Sequence, residues 1–291
     1  MEIIHDILHE LLHAVKDTLI LVPFLYLAYL LMEFIEHKGG ERAQKLISSS
    51  GKLGPLVGGL LGIVPQCGFS AAASGLYAGR MISLGTLTAL FLSTSDEMLP
   101  IMISEQVSLS RILPILLCKA FVGIAVGFAV DIVIAVLRKH KRSEDTAASS
   151  IHELCEDGHC HCERGIFLSA LFHTLQITLF IFIATAAMNL LIYAIGEDTL
   201  STVFSSVPVL GEAIAALIGL IPNCASSVII TELYLDGLIS AGPMMAGLLS
   251  GSGVGLLVLF KVNKSKKQNL AVLALLYTVS VCVGVCVGLL V

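Results

Sequence analysis

The chain has 291 residues, of which 56% are hydrophobic and 13% charged, with a net charge of -5 and a mean hydropathy of +0.92. A soluble domain is roughly half apolar and about a quarter charged, so this composition excludes an ordinary soluble protein and indicates an integral membrane protein. We expect the lipid bilayer to surround the chain and no nucleic acid to bind it.

Six apolar segments are long enough to cross a membrane as single helices, because a spanning helix needs about 20 apolar residues for roughly 30 Å of hydrocarbon. The N-terminal residues lack the basic region and cleavage site of a signal peptide, so the first segment is expected to be a retained span. The segments are residues 14–35, 83–104, 111–137, 166–195, 238–260 and 270–291.

Two further apolar stretches, residues 53–80 and 209–235, are interrupted by Pro65 and Pro222. A proline bends a helix, and the half from Leu53 to Val64 would reach only about 18 Å. Lys and Arg favour cytoplasmic loops. If each stretch enters and returns as a hairpin, every basic cluster lies inside and both termini outside. The sequence therefore predicts two hairpins that enter from opposite faces. The basic clusters are residues 36–52, Arg80, residues 138–142 and residues 261–267.

Residues 53–95 align without gaps on residues 210–252, 157 positions later. Identical pairs include Pro65 with Pro222, Cys67 with Cys224, and Gly85 with Gly242. With the opposite entry of the hairpins, this alignment predicts an inverted repeat, in which transporters place their substrate site where the halves meet.

The predicted fold is therefore an all-α polytopic membrane protein with about ten transmembrane segments. Two inverted repeats each combine spanning helices with a broken-helix hairpin. We expect a first repeat at residues 1–137, a cytoplasmic His/Cys-rich linker at 138–165, and a second repeat at 166–291.

The two hairpin tips are the first candidate site. Non-helical backbone at membrane depth is tolerated only where protein buries it or where it lines a watery cavity. The tips supply thiols, amide oxygens and hydroxyls, a set that suits a metal ion. Alternatively, the cysteines only pack beside helix-breaking prolines. The candidate residues are Gln66, Cys67 and Ser70 in the first tip, and Asn223, Cys224, Ser226 and Ser227 in the second.

Ionisable residues in the first half add to this site. Asp96, Glu97 and Met98 align with Gly253, Val254 and Gly255, so the second half lacks their carboxylates and thioether. Charged groups within a span are costly and usually functional. They could complete a cation site or carry a coupling proton; alternatively, the acids reach the membrane interface and are solvated.

A candidate ion pair involves Lys119 and Asp131, in the span after Asp96. They lie twelve residues apart, too far to pair directly along one helix. Either could instead pair with Asp96 or Glu97, in a structural or a transport role.

The linker is rich in potential metal ligands. Such Cys/His tracts favour Zn²⁺ or Cu⁺, and their thiolates can hold trivalent arsenic. The segment could deliver or sense metal, or it is a linker with incidental thiols. Its ligands are Cys155, His159, Cys160, His161 and Cys162.

The Pro-x-Cys hairpins, the stretch "SLGTLTALFLSTSDEMLP" and the His/Cys loop resemble the ten-helix heavy-metal exporters. These bacterial permeases carry the label of arsenic efflux proteins or of manganese transporters. The resemblance covers nearly the whole chain. It implies a multi-pass exporter of a metal or metalloid in the bacterial cytoplasmic membrane, and it leaves the ion open.

Ligand chemistry favours Mn²⁺, which prefers oxygen ligands with a softer donor to help discrimination. Met98 or Cys67 could supply that sulfur. Trivalent arsenic would prefer three thiolates, so Cys118 would have to join Cys67 and Cys224. Mn²⁺ is therefore the first prediction and arsenite the alternative. We expect no cofactor besides the transported ion, with protons as a candidate coupling ion.

A channel and an intramembrane enzyme are the alternative function classes. A channel would use the hairpin tips as a filter. An intramembrane cysteine enzyme would need a base near its nucleophile, and neither hairpin contains His, so we expect no enzyme. No ATP-binding loop is present, so transport is expected to be secondary.

Overall fold

The computed structural model describes residues 53–65, 67–95, 97–140, 166–195, 210–222 and 224–290, with scattered positions between 15 and 30. Within these ranges the chain is helical and contains no strand. The helices are α1 (Gly54–Gly62), α2 (Cys67–Ala78), α3 (Leu84–Ser93), α4 (Met98–Ser104), α5 (Leu109–His140), α6 (Ile166–Ile195), α7 (Leu210–Gly219), α8 (Cys224–Leu235), α9 (Ala241–Ser250), α10 (Gly255–Val262) and α11 (Lys266–Leu290).

Three described segments are long and apolar enough to cross a membrane: Leu109–Leu137, Ala241–Val262 and Lys266–Leu290. Length and composition therefore agree with the predicted class, a helical membrane protein. The segment Ala241–Val262, which contains α9 and α10, is mostly buried inside the protein. It is therefore a central element, and α11 packs against α9.

Helix boundaries recur along the chain at the spacing of the sequence alignment. Helices α8 and α9 have the same lengths as α2 and α3, and each begins 157 residues after its counterpart. One detail differs at the start of the third helix. Ser83 caps α3 by accepting a hydrogen bond from the backbone nitrogen of Thr86. Ser240 makes no such bond, because Pro243 stands where Thr86 stands and has no N–H to donate.

Close glycine contacts show how α1 and α3 are oriented. Gly54 lies against Thr86, and Gly62 lies against Leu90 and Ser93. Residues later in α1 contact residues later in α3, so the two helices run in the same direction. The chain must therefore reverse twice between them, once before α2 and once after it.

The second half repeats this arrangement. Gly211 lies against Pro243, and Gly219 lies against Gly247 and Ser250, so α7 and α9 are also parallel. In each half a short helix and its successor therefore form a helical hairpin, with its tip at the proline that interrupts the apolar stretch.

Two segments predicted as single spans, residues 83–104 and 238–260, are broken in the structure. The first has a non-helical break between α3 and α4, and the second between α9 and α10. Thr94 and Gly251 have extended backbone where the third helix of each half ends. Gly253 has φ +52°, a left-handed conformation that favours glycine. The prediction of continuous helices here was wrong.

Helices of the first half pack against helices of the second half. In addition to its neighbours in sequence, α2 packs against α10, and α8 packs against α4. The Ser74 hydroxyl donates a hydrogen bond to the Gly255 carbonyl across the first of these contacts, at 2.7 Å. The predicted repeats therefore share one interlocked core. Helix α5 extends to His140, three residues into the predicted linker.

Candidate functional site

A small cavity lies where the two helix breaks meet the start of α8. Its volume is about 10 Å³, roughly the room that one water molecule needs. Both halves of the chain contribute to its walls. The lining residues are Thr94, Ser95, Met98, Lys119, Ser226, Ser227, Leu248, Gly251 and Gly253.

Lys119 brings a buried ammonium to this cavity. The residue is only 1% exposed, and its Nζ donates to the carbonyls of Thr94, at 2.5 Å, and Leu248, at 2.7 Å. These carbonyls belong to the ends of α3 and α9, where the last carbonyls of a helix lack partners within it. A positive charge is also favourable at a helix C-terminus. Lys119 therefore links the two halves at the cavity.

Three hydroxyl groups around the cavity, those of Thr94, Ser95 and Ser226, donate their hydrogens to carbonyls. Thr94 Oγ1 donates to the Leu90 carbonyl at 2.7 Å, and Ser95 Oγ donates to the Ser93 carbonyl at 3.1 Å. A carbonyl can only accept, so each hydroxyl must be the donor and its oxygen remains an acceptor. Ser226 Oγ likewise donates to a carbonyl, at 3.3 Å. The oxygens of these three hydroxyls can therefore still act as acceptors, beside the Lys119 ammonium that lines the same cavity.

Four residues predicted from sequence are brought together here: Met98, Lys119, Ser226 and Ser227. The Met98 side chain is fully buried. Glu97 is half-buried and precedes α4. Ser70 is fully buried but is not part of the lining; it lies against Gly255, in the contact between α2 and α10.

Several predicted ligands lie outside the described residues, so their roles stay predictions. Cys67 and Cys224 begin α2 and α8, but their side chains are not described. No group of three His, Cys, Asp or Glu side chains gathers within the described ranges. The ligands outside are Gln66, Asp96, Asn223, Cys155, His159, Cys160, His161 and Cys162.

Asp131 lies away from the cavity. Its carboxylate accepts hydrogen bonds from Ser83 Oγ at 2.6 Å and from the Gly85 nitrogen at 2.9 Å. It is therefore bound at the start of α3, whereas Lys119 lies beyond the end of α3. Pairing of Lys119 with Asp96 or Glu97 stays a prediction.

Comparisons of this chain with protein-family models, curated proteins and solved structures found no match. The resemblance to heavy-metal exporters thus rests on the sequence motifs alone.

Sequence reasoning missed the contribution of the helix breaks. Thr94, Ser95, Leu248, Gly251 and Gly253 all line the cavity. A signal was present: the aligned stretches 92–97 and 249–254 read Leu-Ser-Thr-Ser-Asp-Glu and Leu-Ser-Gly-Ser-Gly-Val. Clusters of Ser, Thr and Gly inside apolar segments are typical of interrupted helices. Leu248 contributes its backbone carbonyl, which no sequence pattern identifies.

Proposed function

We propose that this protein is a secondary-active exporter of a divalent cation, Mn²⁺ first, with its ion site at the cavity between the two helix breaks. The observation that carries this proposal is the polarity of the hydrogen bonds around the cavity. A hydroxyl group that donates its hydrogen to a carbonyl can still coordinate a cation through an oxygen lone pair, but it has no hydrogen left to donate to an anion. Oxygen atoms are the ligands that Mn²⁺ prefers.

The proposal includes an inverted repeat that alternates access to the site. Its support is the direction of the helices that pack across the two halves. Ser70 of α2 lies at Gly255, where α10 begins, and Tyr77 further along α2 donates to Gln268, beyond the end of α10, at 3.4 Å. This pattern supports a parallel arrangement of α2 and α10. Because α2 runs opposite to α3, and α10 continues the span of α9, a parallel pair would place α3 and α9 in opposite directions, as the proposed inverted repeat requires. Opposed halves around a central site are typical of alternating-access carriers.

The choice of ion rests on which ligand atoms the cavity residues can supply. Acceptor oxygens and the Met98 thioether line the cavity, and Asp96 is proposed to supply the charge that offsets desolvation of the ion. Arsenite would need a third thiolate from Cys118. That residue is half-buried on α5 and is not among the lining residues. The donor set therefore favours Mn²⁺ over arsenite.

Flux measurements in proteoliposomes test this function. Initial rates of Mn²⁺, Cd²⁺ and arsenite transport are measured with and without a pH gradient. We expect the Mn²⁺ rate to saturate with concentration and to increase with the gradient. Transport of arsenite alone would show that arsenite, not Mn²⁺, is the substrate. A Mn²⁺ current that does not saturate would indicate a channel. Absence of flux for all three species would contradict the proposal.

A further inference from the structure

We propose that the Lys119 ammonium is a built-in competitor of the transported cation. In the structure it occupies the carbonyl oxygens of Thr94 and Leu248, and it must leave them for the ion to bind. This inference rests on the proposed function, because it concerns the same cavity and assumes that the substrate is a cation.

The first support is the position of the charge. Lys119 lines a cavity of about 10 Å³, so a metal ion in that space would lie within a few ångströms of the ammonium. Like charges at this separation repel strongly where water is scarce. The ion and the ammonium therefore exclude each other from the same oxygens.

The second support is the kind of oxygen that Lys119 holds. The carbonyls of Thr94 and Leu248 lie at the ends of α3 and α9. Carbonyls freed from a helix are metal ligands in many cation sites. The ammonium thus satisfies groups that a metal ion would otherwise use.

The third support is the asymmetry of the repeat. The position 157 residues after Lys119 is Leu276, which is also fully buried. The second half therefore supplies no matching ammonium from this position. The Lys119 side chain reaches from α5 to a carbonyl of each half, so one charged group connects the two halves.

While Lys119 is bound, it connects the end of α3 in the first half to α9 in the second. When a cation displaces it, this connection is lost, so cation binding weakens one contact between the halves. A ligand can drive a conformational change only through such a difference between two states.

The test measures Mn²⁺ binding to the purified protein by equilibrium dialysis, and Mn²⁺ transport in liposomes. Lys119→Gln removes the competitor, so we expect Mn²⁺ binding to become about ten-fold tighter. Maximal transport should fall, because no ammonium is present to displace the bound ion. Lys119→Arg keeps a cation with several donors, so binding should stay equal or weaken. Lys261→Gln removes an exposed charge from α10 and serves as the control.

A purely structural role would lower the yield of folded protein without tightening binding, so opposite changes in affinity and turnover separate the two roles. Unchanged or weaker binding by folded Lys119→Gln would overturn the inference. If that variant does not fold, tighter binding by Lys119→Arg would overturn it, and equal or weaker binding would support it. If wild-type protein neither binds nor transports Mn²⁺ or Cd²⁺, the proposed function fails and the inference falls with it.

Discussion

Glu212 in the second half lies at the place that Asp131 occupies in the first. A Cβ atom at Gly85 would lie 2.6 Å from Asp131 Oδ1, and one at the matching Gly242 would lie 2.8 Å from Glu212 Oε1. The carboxylate comes from α5 in one half and from α7 in the other, and Gly288 stands at the position that matches Asp131. Each half thus keeps one acid at the start of its third helix, where the helix dipole favours negative charge.

Asp131→Ala should destabilise the protein. It leaves the Ser83 hydroxyl and the Gly85 nitrogen without their shared acceptor, a loss of about 1 to 3 kcal/mol. The midpoint of thermal unfolding in detergent should fall by several degrees. Asp236→Ala, in an exposed turn after α8, is the matched control and should leave the midpoint unchanged. Equal effects of both variants would contradict the assigned role of Asp131.

The acid at the start of the third helix comes from α5 in the first half and from α7 in the second. An acid introduced on α11 should therefore compensate for the loss of Glu212. Glu212 is 9% exposed, and its Oε2 is buried without a hydrogen-bond partner among the described residues. Glu212→Ala should lower the unfolding midpoint slightly, because it removes the negative charge that the dipole of α9 favours at its start. Adding Gly288→Asp, which places an acid at the position matching Asp131, should recover part of the loss.

The rescue needs both changes together. A Cβ at Gly288 would lie 3.1 Å from Glu212 Oε1, so Gly288→Asp alone should destabilise by crowding two acids. The measurement is a double-mutant cycle on the unfolding midpoint. Additive losses in the double variant would show that the two positions do not share one role.

The topology predicted from the basic clusters can be tested by labelling. With all eight native cysteines replaced by Ser, single cysteines are introduced as Thr146→Cys and Thr199→Cys. An impermeant thiol reagent added to intact cells should modify only the cysteine at 199, because positive residues hold the other loop inside. Modification at 146 in sealed cells would contradict the paired hairpins.

The His/Cys linker is predicted to tune transport without carrying it, because the proposed pathway lies at the cavity. Replacing Cys155, Cys160 and Cys162 together by Ser should leave substantial Mn²⁺ efflux, measured in cells that express equal amounts of each protein. Complete loss of efflux would instead make the linker an obligatory ligand set.

The sequence predicted the elements that repeat, and it missed those that depend on backbone contacts. The prolines at 65 and 222 locate the interruptions between α1 and α2 and between α7 and α8 correctly, because a missing N–H and a bend act locally. The breaks after Ser93 and Ser250 were not predicted, because those segments are apolar enough to read as ordinary spans. The partners of Lys119 are carbonyls that become available only when the helices end, so composition and spacing carry no sign of them.

The central claim is that acceptor oxygens at this cavity bind the transported cation, and a pair of threonines tests it most directly. Thr94 and Thr88 are both buried, and each donates to the carbonyl four residues earlier, at 2.7 and 2.8 Å; only Thr94 lines the cavity. The measurement is the concentration of Mn²⁺ that gives half-maximal transport in proteoliposomes. Thr94→Val should raise it by about ten-fold through loss of one oxygen ligand, and Thr88→Val should leave it unchanged. Equal values for the two variants would contradict the account.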